Sequence, residues 1–169
     1  MRNSKTSTIT LAAMLVAIEI ILSRFLSVPT PVVKISFSFI PLSMLAFTCG
    51  PVYSCAGAAI ADFIGAVLFP TGPYFPGYTL TAALTGLTYG LFLKNKHNHW
   101  WRIIAAVVII NIVWRLGLNS VWVSITSGKA VIAFMMTRIT KTLFTIPIEI
   151  VFVRFAVKRL CPLLEKFNN

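Results

Sequence analysis

An all-α integral membrane bundle of six transmembrane helices is the fold class the sequence predicts, and three observations carry it. Of the 169 residues, 57% are hydrophobic and only 11% charged, against roughly 25% charged in an ordinary soluble domain. Apolar runs recur at lengths near the roughly 20 residues that a helix needs to cross a hydrocarbon core. Those runs and their short connectors consume the chain, so residues 1–169 read as a single transmembrane domain with no soluble module.

The elements follow in order, with Pro and Gly as punctuation. The first span, Ile9–Leu26, comes after basic Arg2 and Lys5, as a signal peptide would. No small-residue cleavage site and soluble body follow it, so it reads as a retained helix. The second, Ile35–Thr48, is short and holds Ser36, Ser38 and Pro41. Lipid tolerates no unpaired backbone, so this segment is expected to be shielded by neighbours or partly irregular. The remaining spans are Pro51–Phe69, Tyr78–Leu93, Trp100–Val123 and Ala133–Leu160. Cys49, Cys55 and Cys161 show no metal-ligand spacing and read as small apolar residues.

The net charge of +11 comes from 15 Lys+Arg against 4 Asp+Glu. On a soluble domain it would suggest nucleic acid; in a membrane protein its placement matters more than its total. With both termini cytoplasmic, Arg2, Lys5, Lys94, Lys96, Arg102, Lys158, Arg159 and Lys166 all lie inside, as the positive-inside rule expects. Arg115 and Arg154 fall within spans, and Arg24, Lys34, Lys129, Arg138 and Lys141 lie on or just beneath the opposite face.

These outer cations break the rule and need a reason. Arg138 and Lys141, three apart, project from one helical face, where two cations are costly unless they snorkel, pair or line a wet cavity. Of the four acids, Glu165 is in the tail and Glu149 lies deeper on the same helix, which leaves Glu19 and Asp62. The outer cations are therefore short of counter-ions that an anionic ligand would supply. Lys34 and Lys129 also fit solvated loop charges, and Arg24 fits a snorkelling helix end.

The connector from Phe69 to Tyr78 is rich in proline and aromatics. It suits either stacking on a flat heteroaromatic ligand or an interfacial aromatic belt. Asn119 and Trp122 share a face, and an amide can read a heterocycle's edge while an indole stacks on it or donates to it; Asn119 also fits a helix cap or an interhelical bond. Asp62 and Arg115 sit at similar depths, so a structural ion pair between them is expected. The alternative has Asp62 accept hydrogen bonds from an amino-heterocycle. Small residues at helical spacing, Ala13 with Ala17, Gly57 with Ala61 and Gly65, and Gly86 with Gly90, let helices approach closely, within the bundle or against another subunit.

Several segments carry a family resemblance. They are Ala13-Met-Leu-Val-Ala17, Ala61-Asp-Phe-Ile-Gly-Ala-Val-Leu-Phe-Pro70 running into Gly72-Pro-Tyr-Phe-Pro-Gly-Tyr-Thr-Leu80, Leu84-Thr-Gly-Leu-Thr-Tyr-Gly90, Leu118-Asn-Ser-Val-Trp-Val-Ser124, Gly128-Lys129 and Arg138-Ile-Thr-Lys141. Over nearly its whole length the chain resembles the folate-specific substrate-binding (S) components of energy-coupling-factor (ECF) vitamin transporters. The aromatic connector with the Asn-x-x-Trp and Arg-x-x-Lys segments is the specific part.

The resemblance implies a six-helix subunit that binds its vitamin near the outer surface of a bacterial plasma membrane, gated by the first and third outer loops. It implies docking through Ala13 and Ala17 on a transmembrane coupling subunit with two ATPases. Folate would use the residues singled out above: Phe75, Tyr78 and Trp122 for the rings, Asn119 for the pterin edge. Arg24, Lys129, Arg138 and Lys141 would serve the tail carboxylates or the pterin carbonyl.

Other classes fit less well. An enzyme is disfavoured because His97 and His99 lie in a basic connector with no carboxylate cluster or metal motif. A self-sufficient transporter would be expected to show an inverted repeat or a line of intramembrane acids, and no phosphate-binding loop for ATP is present. Neither a cofactor, a metal nor nucleic acid is expected. Another vitamin within the same family is the nearest rival.

Overall fold

Each apolar run becomes a helix whose ends are set largely by proline and glycine. The computed structural model describes residues 5–25, 28–29, 34–70, 74–94, 100–127 and 131–160. Helix α1 spans Lys5–Arg24, α2 Phe39–Cys49, α3 Pro51–Leu68 and α4 Pro76–Leu93. Helix α5 runs over 100–127 with a π-helical stretch inside it, and α6 over 131–160, making six helices among the described residues. Pro51 and Pro76 open α3 and α4, where a missing N–H costs no intrahelical bond. Gly50 turns the chain between α2 and α3 at φ +93°, a conformation that side chains with a Cβ avoid.

Between α1 and α2 a short hairpin forms, β1 Val28–Pro29 against β2 Lys34–Ile35, with Val28 opposite Ile35 and Pro29 opposite Lys34. This corrects the expected start of the second span, since Ile35 belongs to the hairpin and α2 begins at Phe39. The hydroxyl of Ser36 accepts the Ser38 N–H at 3.2 Å, a local bond that competes with helix formation. The 11 residues of α2 rise only about 16 Å, roughly half of a hydrocarbon core. Its neighbours compensate: α2 packs against α1, α3, α4 and α6 and buries Phe39, Leu42, Leu45, Ala46 and Phe47. Pro41 thus sits buried inside the bundle, while Ser36 and Ser38 are half-buried ahead of α2.

Helices α3 and α4 form the closest pair. A Cβ on Gly86 would run into the Ser54 carbonyl oxygen, and one on Gly90 into the Pro51 backbone. With glycine there the backbones meet, and Ser54 Oγ donates to the Gly86 carbonyl at 2.8 Å. On the other side of α3, Gly57 faces Leu45 and Val16. The main core then joins α2, α3, α4, α5 and α6 through residues such as Phe47, Ala58, Tyr89, Val107 and Val153.

By length and composition Thr6–Arg24, Pro51–Leu68 and Trp100–Thr126 can each cross a membrane. Large apolar side chains cover the outside, among them Met14, Phe63, Val67, Leu143 and Val151, as a lipid solvent requires. In α5 the regular span expected from sequence is interrupted. Residues Ile110–Leu118 are π-helical, and the Asn119 N–H reaches the Trp114 carbonyl five residues back. Such wide turns are rare and often sit at functional sites. Here the wide turn carries Asn111 and Arg115.

Candidate functional site

The end of the bundle where α4 begins and α5 finishes gathers the aromatic residues. Phe75 precedes Pro76 in extended conformation, and the Tyr78 N–H closes the first turn onto the Phe75 carbonyl at 3.0 Å. The Phe75 ring lies 5.4 Å from that of Trp122 and 6.1 Å from that of Tyr78. Gly77 makes this possible, because a Cβ there would meet both the Phe75 and Trp122 rings at 2.6 Å. Trp122 is fixed by its Nε1, which donates to Thr81 Oγ1 at 3.1 Å. The Tyr78 and Thr126 hydroxyls are 3.4 Å apart.

A second indole repeats the arrangement two turns along: Trp114 Nε1 donates to Thr88 Oγ1 at 2.9 Å. The threonines of α4 suit this role. Thr81, Thr85 and Thr88 each donate to a carbonyl four residues back, which leaves oxygen lone pairs free to accept. Asn119, one turn from Trp122, has a buried Oδ1 with no hydrogen-bond partner among the described residues.

Beneath this cluster lies a polar knot that sequence reasoning missed. Glu149 of α6 is fully buried. Its Oε1 accepts from Tyr89 at 2.6 Å, and its Oε2 from Asn111 Nδ2 at 2.7 Å and from Arg115 Nη1 at 3.0 Å. The same Arg115 Nη1 lies 3.3 Å from Asn111 Oδ1. A carboxylate carried this deep is tolerable because three donors, one of them the Arg115 cation, answer it. The signal available in sequence was the pair Asn111 and Arg115, four apart in an apolar span.

The expected Asp62–Arg115 pair is therefore corrected. Arg115 pairs with Glu149, while Asp62 accepts from Thr79 Oγ1 at 2.9 Å. Equal depth did not make them neighbours, since α4 packs between α3 and α5. Thr79 also meets the Tyr74 hydroxyl at 3.0 Å, and Tyr74 packs edge-on against Phe63. The connector is thereby tied to α3.

Of the eight ligand-site residues expected, Phe75, Tyr78, Asn119 and Trp122 come together. Arg24 stands at the α1–α3 corner, where its Nη1 donates to the Phe69 carbonyl at 3.3 Å and its Nε lies against Gly65. Lys129 lies outside the described residues, as do the side chains of Arg138 and Lys141 on α6. Ala13 and Ala17 are exposed on α1, beside the exposed Ile9, Met14, Ile18 and Ile21, so this small-residue face is not used inside the bundle.

Comparison with known proteins gives a consistent picture. The family model described as ECF transporter, substrate-specific component, matches residues 7–157. A folate transporter FolT of Clostridium novyi is 36% identical over 162 residues, covering 93% of this chain and 94% of that protein. A folate transporter FolT of Leuconostoc mesenteroides is 38% identical over 146 residues, covering 83% and 78%. Among solved structures, FolT bound with folic acid superposes with a TM-score of 0.84 at 35% identity, over 92% of this chain and 94% of that one. An S component for biotin superposes at 0.69 with 19% identity, over 98% and 94%, a likeness of fold alone.

Proposed function

The chain belongs to the family of ECF transporter substrate-specific components, and from that premise we propose that it is the folate-binding subunit of an ATP-driven vitamin importer. Carrying the reading is the coincidence of identity to folate transporters along nearly the whole chain with a built aromatic and amide site at one end of the bundle. Folate has a flat pterin, an aminobenzoate ring and a glutamate tail with two carboxylates. Phe75, Tyr78 and Trp122 supply ring faces, and Asn119 supplies an amide for the pterin edge. Because Phe75 and Trp122 already touch, a guest ring stacks on the cluster or parts the two.

Arg24, Lys129, Arg138 and Lys141 are the candidates for the tail. The single domain of residues 1–169 acts as a binding subunit rather than an enzyme, multi-pass in a bacterial plasma membrane with both termini cytoplasmic and the aromatic end outward. Ala13 and Ala17, exposed on α1, form the face that docks on the transmembrane coupling subunit, which in turn works with two ATPases. Lipid surrounds the rest.

Equilibrium binding of folic acid, biotin, thiamine and riboflavin to the detergent-solubilised chain tests this directly. Folic acid is expected to bind far more tightly than the other three. Preference for any other vitamin would sink the assignment.

A further inference from the structure

The guanidinium of Arg115 has more donors than its ion pair uses. Only Nη1 is engaged, by Glu149 and Asn111; Nε and Nη2 bond nothing among the described residues. The side chain keeps 34% of its accessible surface, whereas its partner Glu149 keeps 0%. Arg115 shares a helical face with Asn111, four residues before it, with Asn119, four after, and with Trp122 beyond. Of the exposed apolar residues of the same stretch, Val113 and Val121 occupy other faces, and Ile112 stands at the edge of this one.

Charge separates the two halves of the ligand. Arg115 is already answered by Glu149, so it offers N–H donors without adding uncompensated charge. A neutral ring suits such a group, while carboxylates call for cations that lack a protein counter-ion. The pterin edge presents one carbonyl acceptor beside N–H donors. A free guanidinium edge, one helical turn from the buried, unpartnered Oδ1 of Asn119, gives the complementary donors and acceptor.

We propose that Arg115 is a specificity-determining contact at the pocket floor, donating its spare N–H groups to the pterin carbonyl. Glu149, Asn111 and Tyr89 are positioning residues that hold it there. The inference rests on the folate reading above and adds a residue that its depth in the span had placed in a structural pair with Asp62.

The test measures three ligands on the solubilised chain: folic acid, its 4-amino analogue, in which an amine donor replaces the carbonyl, and pteroic acid, which lacks the glutamate. Wild type is expected to prefer folic acid over the 4-amino analogue, and equal binding of the two overturns the proposal. Arg115→Lys keeps the cation beside Glu149 but loses the planar fork, so it serves where Arg115→Met fails to fold. It is expected to weaken folic and pteroic acid alike by about tenfold or more and to shrink the preference over the 4-amino analogue. An unchanged preference, or a loss confined to the glutamate-bearing ligands, overturns the proposal. If wild type binds none of the three, the folate reading itself fails.

Discussion

Trp122→Ala is the most direct probe of the aromatic site. The indole touches Phe75 at 5.4 Å between centroids and is held by Thr81 at 3.1 Å. Both contacts exist before any ligand arrives, so they preorganise the ring rather than add to affinity. The binding loss is then the stacking itself, about 1–3 kcal/mol for a base-like ring on an aromatic, and the collapse of Phe75 into the gap adds to it. We therefore expect Trp122→Ala to weaken folic acid by about tenfold to several hundredfold. Trp122→Phe keeps a ring but drops the Nε1 anchor, so its cost is about 1 kcal/mol, or fivefold. Calorimetry or radioligand binding on the purified chain reads both. Affinity within twofold of wild type for Trp122→Ala, with an unchanged melting temperature, would refute the stacking role.

Other consequences are as sharp. Glu149→Ala leaves Arg115 charged and unpaired and orphans the Tyr89 and Asn111 donors, so a loss of about 3–5 kcal/mol is expected, visible as a lower melting temperature in detergent; unchanged melting would mean the knot is not a structural support. Ala13→Trp, on an exposed face, should spare folic acid binding and abolish uptake in proteoliposomes holding the complete transporter; normal uptake would remove the docking role. Arg138→Ala with Lys141→Ala should cost about 1.5–3 kcal/mol for each charge-assisted hydrogen bond removed with folic acid as ligand, but little with pteroic acid. Equal losses on both ligands would detach these cations from the glutamate tail.

What the sequence made legible follows from what periodicity and solvent preference encode. Six helices were readable because a membrane imposes length and apolarity on each span separately. The pairings of Phe75 with Tyr78 and of Asn119 with Trp122 were readable because turn chemistry and helical spacing are local. Partners across helices are not local. Asp62 and Arg115 matched in depth, yet which helix stands beside which depends on packing, and α4 separates them. Glu149 was set aside because it lies far below Arg138 and Lys141 on its own helix. That depth is what lets it meet Arg115 and Asn111. The wide turn at Ile110–Leu118 was not legible, since nothing in its residues, Asn111 and Gly117 included, separates a π-helical turn from an α-helical one in an apolar span.

The division of labour among helices explains why binding and docking variants should separate. The aromatic cluster and the Glu149 knot are built from α4, α5 and α6. The Ala13 and Ala17 face belongs to α1, which contacts α2 and α3. Short α2 stands between the two sides, with Leu45 turned toward Leu15 of α1 and Phe47 in the core shared with α4, α5 and α6. A bulky residue added at position 13 points away from that core, so it disturbs no residue that holds the rings. A bulky residue at Gly57 does the opposite. Its Cβ would meet Leu45 at 2.6 Å and Val16 at 3.0 Å, prying α1 and α2 from α3. Both properties fail together there, because the wedge enters the packing that unites the two sides.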